Sequence, residues 1–309
     1  MTGPADSLFR YRFNGWTLES DRALPWLRPA GRGRARRSPD IEIRFADVLP
    51  PAAGLPGAAD IAVQPDGAVR VSVPAEGLAI SVEEGRRIRV DAASPSDAAL
   101  HRWLTGAAMA VLAHQRGQPP LAAAVLEIAG HAVALTGEQP AVWSVAAAAL
   151  ARRGHRRLTD DVALIDPATL LAEPGLPAQR HWLPGGARTG AHDPAAPGAG
   201  DTAISGGSGW MVGEPAPLAL IVALQADPLA VGPRLQDLTS AESAALLERH
   251  ALLPDLAVAI DGGAGLRTMA HRIARTVTAV VLHVPDTPGW LGPTCDGIED
   301  LVTIVTTED

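Results

Sequence analysis

The residues whose order suggests chemistry run from Gly137 to Asp161, within "GHAVALTGEQPAVWSVAAAALARRGHRRLTDDVALID". An apolar run leads into Gly137, an alanine-rich run follows Ser144, and a pair of aspartates, Asp160 and Asp161, comes next. Strand, glycine-led loop, helix and acidic pair is the order of a site built for a nucleoside triphosphate. In such a loop, Gly-x-x-x-x-Gly-Lys-Ser/Thr, backbone amides and the helix N-terminus face the phosphates. The lysine neutralises their terminal oxygens and the hydroxyl holds Mg²⁺. An acidic pair at a strand end would hold the same metal or accept a substrate hydroxyl proton.

Gly137 and Ser144 keep the frame, but the interior departs from the pattern. Val142 stands in place of the second glycine, where a side chain hinders positive φ and close ligand approach. Pro140 removes one amide donor. Trp143 stands in place of the lysine. Phosphoryl transfer draws mainly on positioning and charge neutralisation, so losing that cation removes a central element. Arg152, Arg153, Arg156 and Arg157 are candidate substitutes, although nothing in the sequence requires one. Trp143 has two readings: stacking on a base or a peptide aromatic, or packing at the start of a core helix, the commoner fate of such a residue.

The elements that must position these residues fall into two parts. Residues 1–95 form a β-rich N-terminal region. Its alternating runs, such as "LFRYRFNGWTLES" and "RRIRVDAA", are separated by turn signals at Asn14-Gly15, Pro65-Asp66-Gly67 and Glu84-Gly85, and they predict an antiparallel meander. Residues 96–309 form the second domain. It opens with a helix capped by Ser96 and ended by Gly117, with Leu100, Trp103, Leu104, Ala107, Ala108 and Val111 on one stripe. Strands are expected at 122–128, 131–136, 158–165, 218–224 and 279–284. Helices are expected at 143–153, 240–250, 266–276 and about 297–305. The Pro/Gly/Ala-rich stretch from Pro174 to Trp210, including 185–210, reads as a long loop. Its "SGGSG" has no strand leading into it and is weak as a second phosphate cradle.

Composition bounds the partners. The chain has 309 residues, 47% of them hydrophobic, and a formal net charge of −8. Bulk electrostatics therefore disfavour nucleic acid and anionic membrane. The basic run of Arg32, Arg34, Arg36 and Arg37 reads as a solvated loop or a docking patch for an acidic partner. Cys295 is the single cysteine, so no intrachain disulfide forms, and a cytoplasmic location is expected. The N-terminus shows no signal pattern, and no apolar run reaches the ~18 residues of a membrane span. His101, His114 and His131 lack metal-ligand spacing. His155 reads as a residue satisfying helix carbonyls or facing solvent, and His181-Trp182 as a candidate groove lining.

The order of segments resembles the HPr kinase/phosphorylase superfamily. The nearest likeness is to the smaller HPr-kinase-like proteins of peptide-modifying, lasso-peptide-type gene clusters. The match rests on the Gly137–Ser144 frame, Arg153-Gly154-His155 and Asp160-Asp161, with weaker likeness in "YRFNGWTLESDRALPWL", "LAHQRGQPPLAAAV", "PLALIVAL" and "TAVVLHVPDTPGWL". It implies an α/β fold, α+β overall, with a P-loop core of central sheet and flanking helices. It also implies an ATP- and Mg²⁺-dependent kinase acting on a serine or a peptide end. Gly137, Ser144 and Trp143 would then belong to the nucleotide loop, Ser144 and Asp160 to the metal, and Asp160 and Asp161 to catalysis. The departures at Trp143, and at Ala122 where the family carries a histidine, point instead to a pseudokinase that needs no cofactor. That protein would bind a peptide or protein partner in a biosynthetic pathway. A working kinase with a substitute cation, and a repurposed ATP-independent peptide-modifying enzyme, stand as alternatives. The resemblance also allows self-association.

Overall fold

The structure, a computed structural model, describes residues 8–30, 38–46, 60–91, 96–160, 162–175, 214–285 and 289–307. It is a mixed α/β protein with two large sheets. The Arg32–Arg37 run, His181-Trp182 and the 185–210 stretch lie outside the described residues, as does Asp161.

The first sheet has eight strands: β1 (Phe9–Phe13), β2 (Trp16–Ser20), β3 (Arg28–Pro29), β4 (Ile41–Ala46), β5 (Asp60–Val63), β6 (Val69–Val73), β7 (Leu78–Glu83) and β8 (Arg87–Asp91). Their order is β3-β1-β2-β4-β8-β7-β6-β5. Strands β5 to β8 are the expected antiparallel meander, and Asn14-Gly15 turns β1 into β2 with both residues at positive φ. The sheet as a whole is not a meander. Strand β4 runs parallel to β2 on one side and to β8 on the other. The physical reason is that 20 residues separate Ser20 from Ile41, far more than a hairpin turn, and a parallel neighbour requires such a crossover.

Period-two alternation puts Phe13, Leu18, Ile41, Ile43, Val71, Ile80 and Ile88 on one buried face. A helical segment covers that face: α1 (Asp97–Trp103), a π-helical turn Leu104–Ala108, and α2 (Met109–Gln115). Its expected stripe from Leu100 to Val111 is fully buried there. The Ser96 hydroxyl caps α1 by accepting from the Ala99 N–H at 3.2 Å.

The second sheet contains β10 (Ala124–Ile128), β11 (His131–Thr136), β12 (Arg156–Thr159), β15 (Ala216–Asp227), β16 (Arg234–Asp237) and β17 (Thr278–Pro285) in the order β12-β10-β11-β15-β17-β16. A short β14 (Leu171–Ala172) pairs with β15. The core strands β11, β15 and β17 are parallel and read as continuous apolar runs because both faces are covered. Helices α3 (Pro140–Arg152) and α7 (Leu291–Thr307) cover one face, meeting Leu126, Val133, Leu135, Val222 and Leu282. Helices α4 (Ser240–Arg249), α5 (Pro254–Asp261) and α6 (Ala264–Ala274) cover the other, meeting the alternate residues Val125, Ala134 and Ile221. The strand expected at 158–165 is broken by the turn at Asp160 into β12 and β13 (Val162–Ala163). Strand β13 leaves the main sheet to pair with β9 (Leu121–Ala122). Helix α5 was not anticipated; its Leu256 packs into the N-terminal core while Ala257 joins the core of the second sheet.

Candidate functional site

The site is built where β11 ends. The Thr136 hydroxyl donates to the Ala122 carbonyl at 2.7 Å, tying the strand end to β9. Gly137 follows with φ of 146°. A Cβ at this position would lie 2.3 Å from the Leu224 carbonyl oxygen of β15, so glycine is required by the close approach of a neighbouring strand. After Glu138 and Gln139, Pro140 is the first residue of α3, a favourable place for a residue with fixed φ and no N–H. The Val142 N–H donates to the Gln139 carbonyl at 3.0 Å and closes the first turn. Helix α3 thus starts three residues before the expected Trp143. The stretch Pro140–Ser144 is helix, and the loop is reduced to Gly137, Glu138 and Gln139.

The consequence for Trp143 is direct. Its side chain is 1% exposed and sits in the core between the sheet and α7, with Leu135, Leu150, Cys295 and Ile298 in the same cluster. Ser144 is half-buried, one position further around the helix.

Asp160 lies on the same edge of the sheet. Val125 of β10 pairs with Ala134 of β11 on one side and Thr159 of β12 on the other, so β11 and β12 run parallel, with β11 ending two residues further along at Thr136. With two strand spacings across the sheet and two residues along it between them, Gly137 and Asp160 are about 12 Å apart. Asp160 is 5% exposed and forms a buried ion pair with Arg157. The turn that follows is tight: the Val162 N–H donates to the Asp160 carbonyl at 2.6 Å. The Thr159 hydroxyl lies 3.2 Å from that carbonyl oxygen and 3.0 Å from that of Val162. The Arg157 partnership was not anticipated, although the i,i+3 spacing of Arg157 and Asp160 carries the signal.

Arg153-Gly154-His155 is placed at the opposite end of α3 and is engaged there with α7. Arg153 donates to Asp296 and Glu299, both at 2.7 Å, and to the Gly292 carbonyl at 3.1 Å. The His155 imidazole is 2.6 Å from the other Glu299 oxygen. As expected of a residue satisfying helix carbonyls, the His155 N–H donates to the Leu150 carbonyl of α3 at 3.3 Å, while its half-buried ring is paired with this carboxylate. Helix α3 has 13 residues. At 1.5 Å per residue, Arg152 and Arg153 sit about 18 Å from its N-terminus. Arg156 pairs with Glu127. Of the four arginines considered as substitutes for the lysine, only Arg157 reaches the edge that carries Gly137, and it is engaged with Asp160.

The rest of that edge comes from β9 and the end of α4. The Ala122 N–H donates to the His250 carbonyl at 2.9 Å, and the Leu252 N–H to the Pro120 carbonyl at 2.8 Å. Burial lowers the pKa of the His250 imidazole; Arg249 acts in the same direction, and the Glu138 carboxylate against both. His114 is buried with Nε2 2.6 Å from the Leu252 carbonyl oxygen. Burial holds its pKa down, against the opposing pull of that hydrogen bond and of Asp261. His101 stacks on Trp26, and His131 folds back on the Ala129 carbonyl. Among the described residues no group of three or more His, Cys, Asp or Glu side chains is placed to hold a metal ion, and no helix is long and apolar enough to cross a membrane.

Among solved structures, the chain is similar to the Hpr(Ser) kinase/phosphatase from Coxiella burnetii, with 16% identity over 61% of this chain and 91% of that one and a TM-score of 0.31. A likeness of that size carries no argument about chemistry. No protein-family model matches the chain, and no curated protein matches it either.

Proposed function

We propose that this chain is an HPr-kinase-like protein that no longer transfers phosphate and acts by binding a peptide or protein partner in a peptide-modification pathway. The observation that carries the reading is the start of α3 at Pro140. A phosphate cradle needs free loop amides and a cation; here the corresponding residues are the first turn of a helix, with an indole turned into the core. The fit of a triphosphate is poor on three further counts. Gly137 is pressed against Leu224, Asp160 is neutralised by Arg157, and the remaining arginines lie at the far end of α3 or are held by Glu127. The residues present do not suit ATP. The order of motifs and the α/β core support the family; the pathway rests on the resemblance alone.

Titration of the chain with Mg-ATP by calorimetry tests the reading. No saturable heat is expected up to millimolar nucleotide. Micromolar binding that disappears in Asp160→Ala, or transfer of labelled phosphate to a peptide, would overturn it in favour of a working kinase. Arg157 is the residue that kinase would use as its cation, because it alone of the candidates reaches the Asp160 edge.

A further inference from the structure

At the tip of the β1–β2 hairpin Asn14 is buried and Gly15 half-buried, which is unusual for a turn. Asn14 is 2% exposed, and its N–H donates to the Pro174 carbonyl at 3.2 Å. Pro174 belongs to a short segment held on both sides: the Glu173 N–H donates to the Leu164 carbonyl at 2.9 Å and the Gly175 N–H to the Leu158 carbonyl of β12 at 3.0 Å. The fit is tight. A Cβ at Gly175 would lie 2.5 Å from Thr159 Oγ1 and 2.9 Å from Asn14 Oδ1. A Cβ at Gly15 would lie 2.6 Å from the Glu173 carboxyl carbon and 2.7 and 3.0 Å from its oxygens. The first sheet therefore meets the Asp160 end of the second through this hairpin tip and Glu173–Gly175.

The seam holds polar atoms without hydrogen-bond partners. Among the described residues, neither side-chain amide atom of buried Asn14 has a hydrogen-bond partner, and nor has buried Glu173 Oε2. A buried carboxylate in that situation is penalised, whereas a neutral carboxyl is tolerated. Among the described residues, the charged groups that act on Glu173 are Arg12 on β1, which favours its ionised form, and Asp166 and Glu214, which oppose it. Burial acts with the two acids and is the largest influence, so the carboxyl titrates above its usual range.

We propose that this seam is a proton-operated joint: with Glu173 neutral the hairpin tip is seated on Pro174 and Gly175, and ionisation of Glu173 unseats it. The direction follows from linkage. The closed form holds the proton more tightly than the open form, so closure is favoured at low pH and weakens as pH rises from the open-state value to the closed-state value. Opening would loosen the strand end that carries Asp160. This device goes beyond the proposed function and does not depend on it.

Hydrogen exchange of the Asn14, Gly15 and Trp16 amides between pH 4.5 and 8, corrected for intrinsic rates, tests it. In the wild-type chain, protection is expected to fall with rising pH, by up to tenfold per pH unit, and then to level off. Glu173→Gln should keep high protection with no slope. Gly15→Ala, whose methyl meets the carboxyl, should show low protection at every pH. A flat wild-type profile would overturn the proposal. So would an unchanged slope in Glu173→Gln.

Discussion

Replacing Trp143 with lysine restores the residue that a phosphate-binding loop would carry, and so sets the two readings of this position against each other. If residue 143 faced a phosphate site, Trp143→Lys would be tolerated and would confer nucleotide binding. Its burial between the sheet and α7 predicts the opposite. Removing a buried tryptophan costs about 3–5 kcal/mol through lost contacts and the cavity left behind. The lysine stem refills part of that space, but its ammonium must either ionise in the core or give up its proton. A cation in the first turn also opposes the positive end of the helix by about 0.3–1 kcal/mol. The net loss is about 4 kcal/mol, a large share of the about 5–15 kcal/mol that a folded domain has. At about 2–4 °C per kcal/mol for a domain of 150–250 residues, Tm should drop by about 8–16 °C. Thermal unfolding of both proteins with and without Mg-ATP measures this. A variant that melts like the wild type and gains several degrees on adding Mg-ATP would refute the placement of Trp143 in the core.

Three further outcomes follow from the geometry. Gly137→Ala should lower the urea midpoint by an amount equivalent to about 2–4 kcal/mol, because its methyl meets the Leu224 carbonyl and its backbone is held at positive φ. Arg157→Met should cost about 3–5 kcal/mol by leaving Asp160 buried without its counter-ion, and the double variant Arg157→Met, Asp160→Leu should recover most of that loss in a double-mutant cycle. Burial lowers the pKa values of His101, His114 and His250, so each resists protonation in the fold. Their contribution is present above the unfolded value near 6.5 and is lost as pH falls below it. Urea midpoints should therefore decline from pH 7.5 to 5.5, and His114→Gln should flatten part of that decline.

Much of the fold was legible because its signals are local. The stripe from Leu100 to Val111 and the Ser96 cap reflect burial on a definite face, which sequence period reports directly, and the apolar runs in 131–136 and 279–284 reflect strands covered on both faces. The start of α3 was legible too, since Pro140 is a strong first-turn residue; reading Gly137–Ser144 as a loop places that start three residues late. What stayed hidden was non-local. Nothing in "DIEIRF" says that β4 lies parallel to β2 and β8, because the partners are set by crossovers rather than turns. The pairing of Arg153 and His155 with α7 spans more than 130 residues, so their role as a helix clamp has no trace in the local motif. The candidate edge was half visible: Gly137 and Asp160 stood out by type and order, but the burial of Asp160 against Arg157 depends on how β13 leaves the sheet.

The placement of β4 has a consequence for how the chain is made. One of its neighbours, β2, is synthesised before it, but the other, β8, ends only at Asp91, 45 residues after Ala46. At translation speeds of about 5–20 residues per second, that flank of the strand waits about 2–9 s for its partner. During that interval Ile41 and Ile43 sit beside an unpaired backbone edge, the kind of surface that nascent chains join to one another. Slowing elongation between codons 46 and 91 should therefore reduce the yield of soluble protein more than an equal pause after codon 91, when the meander can close over β4.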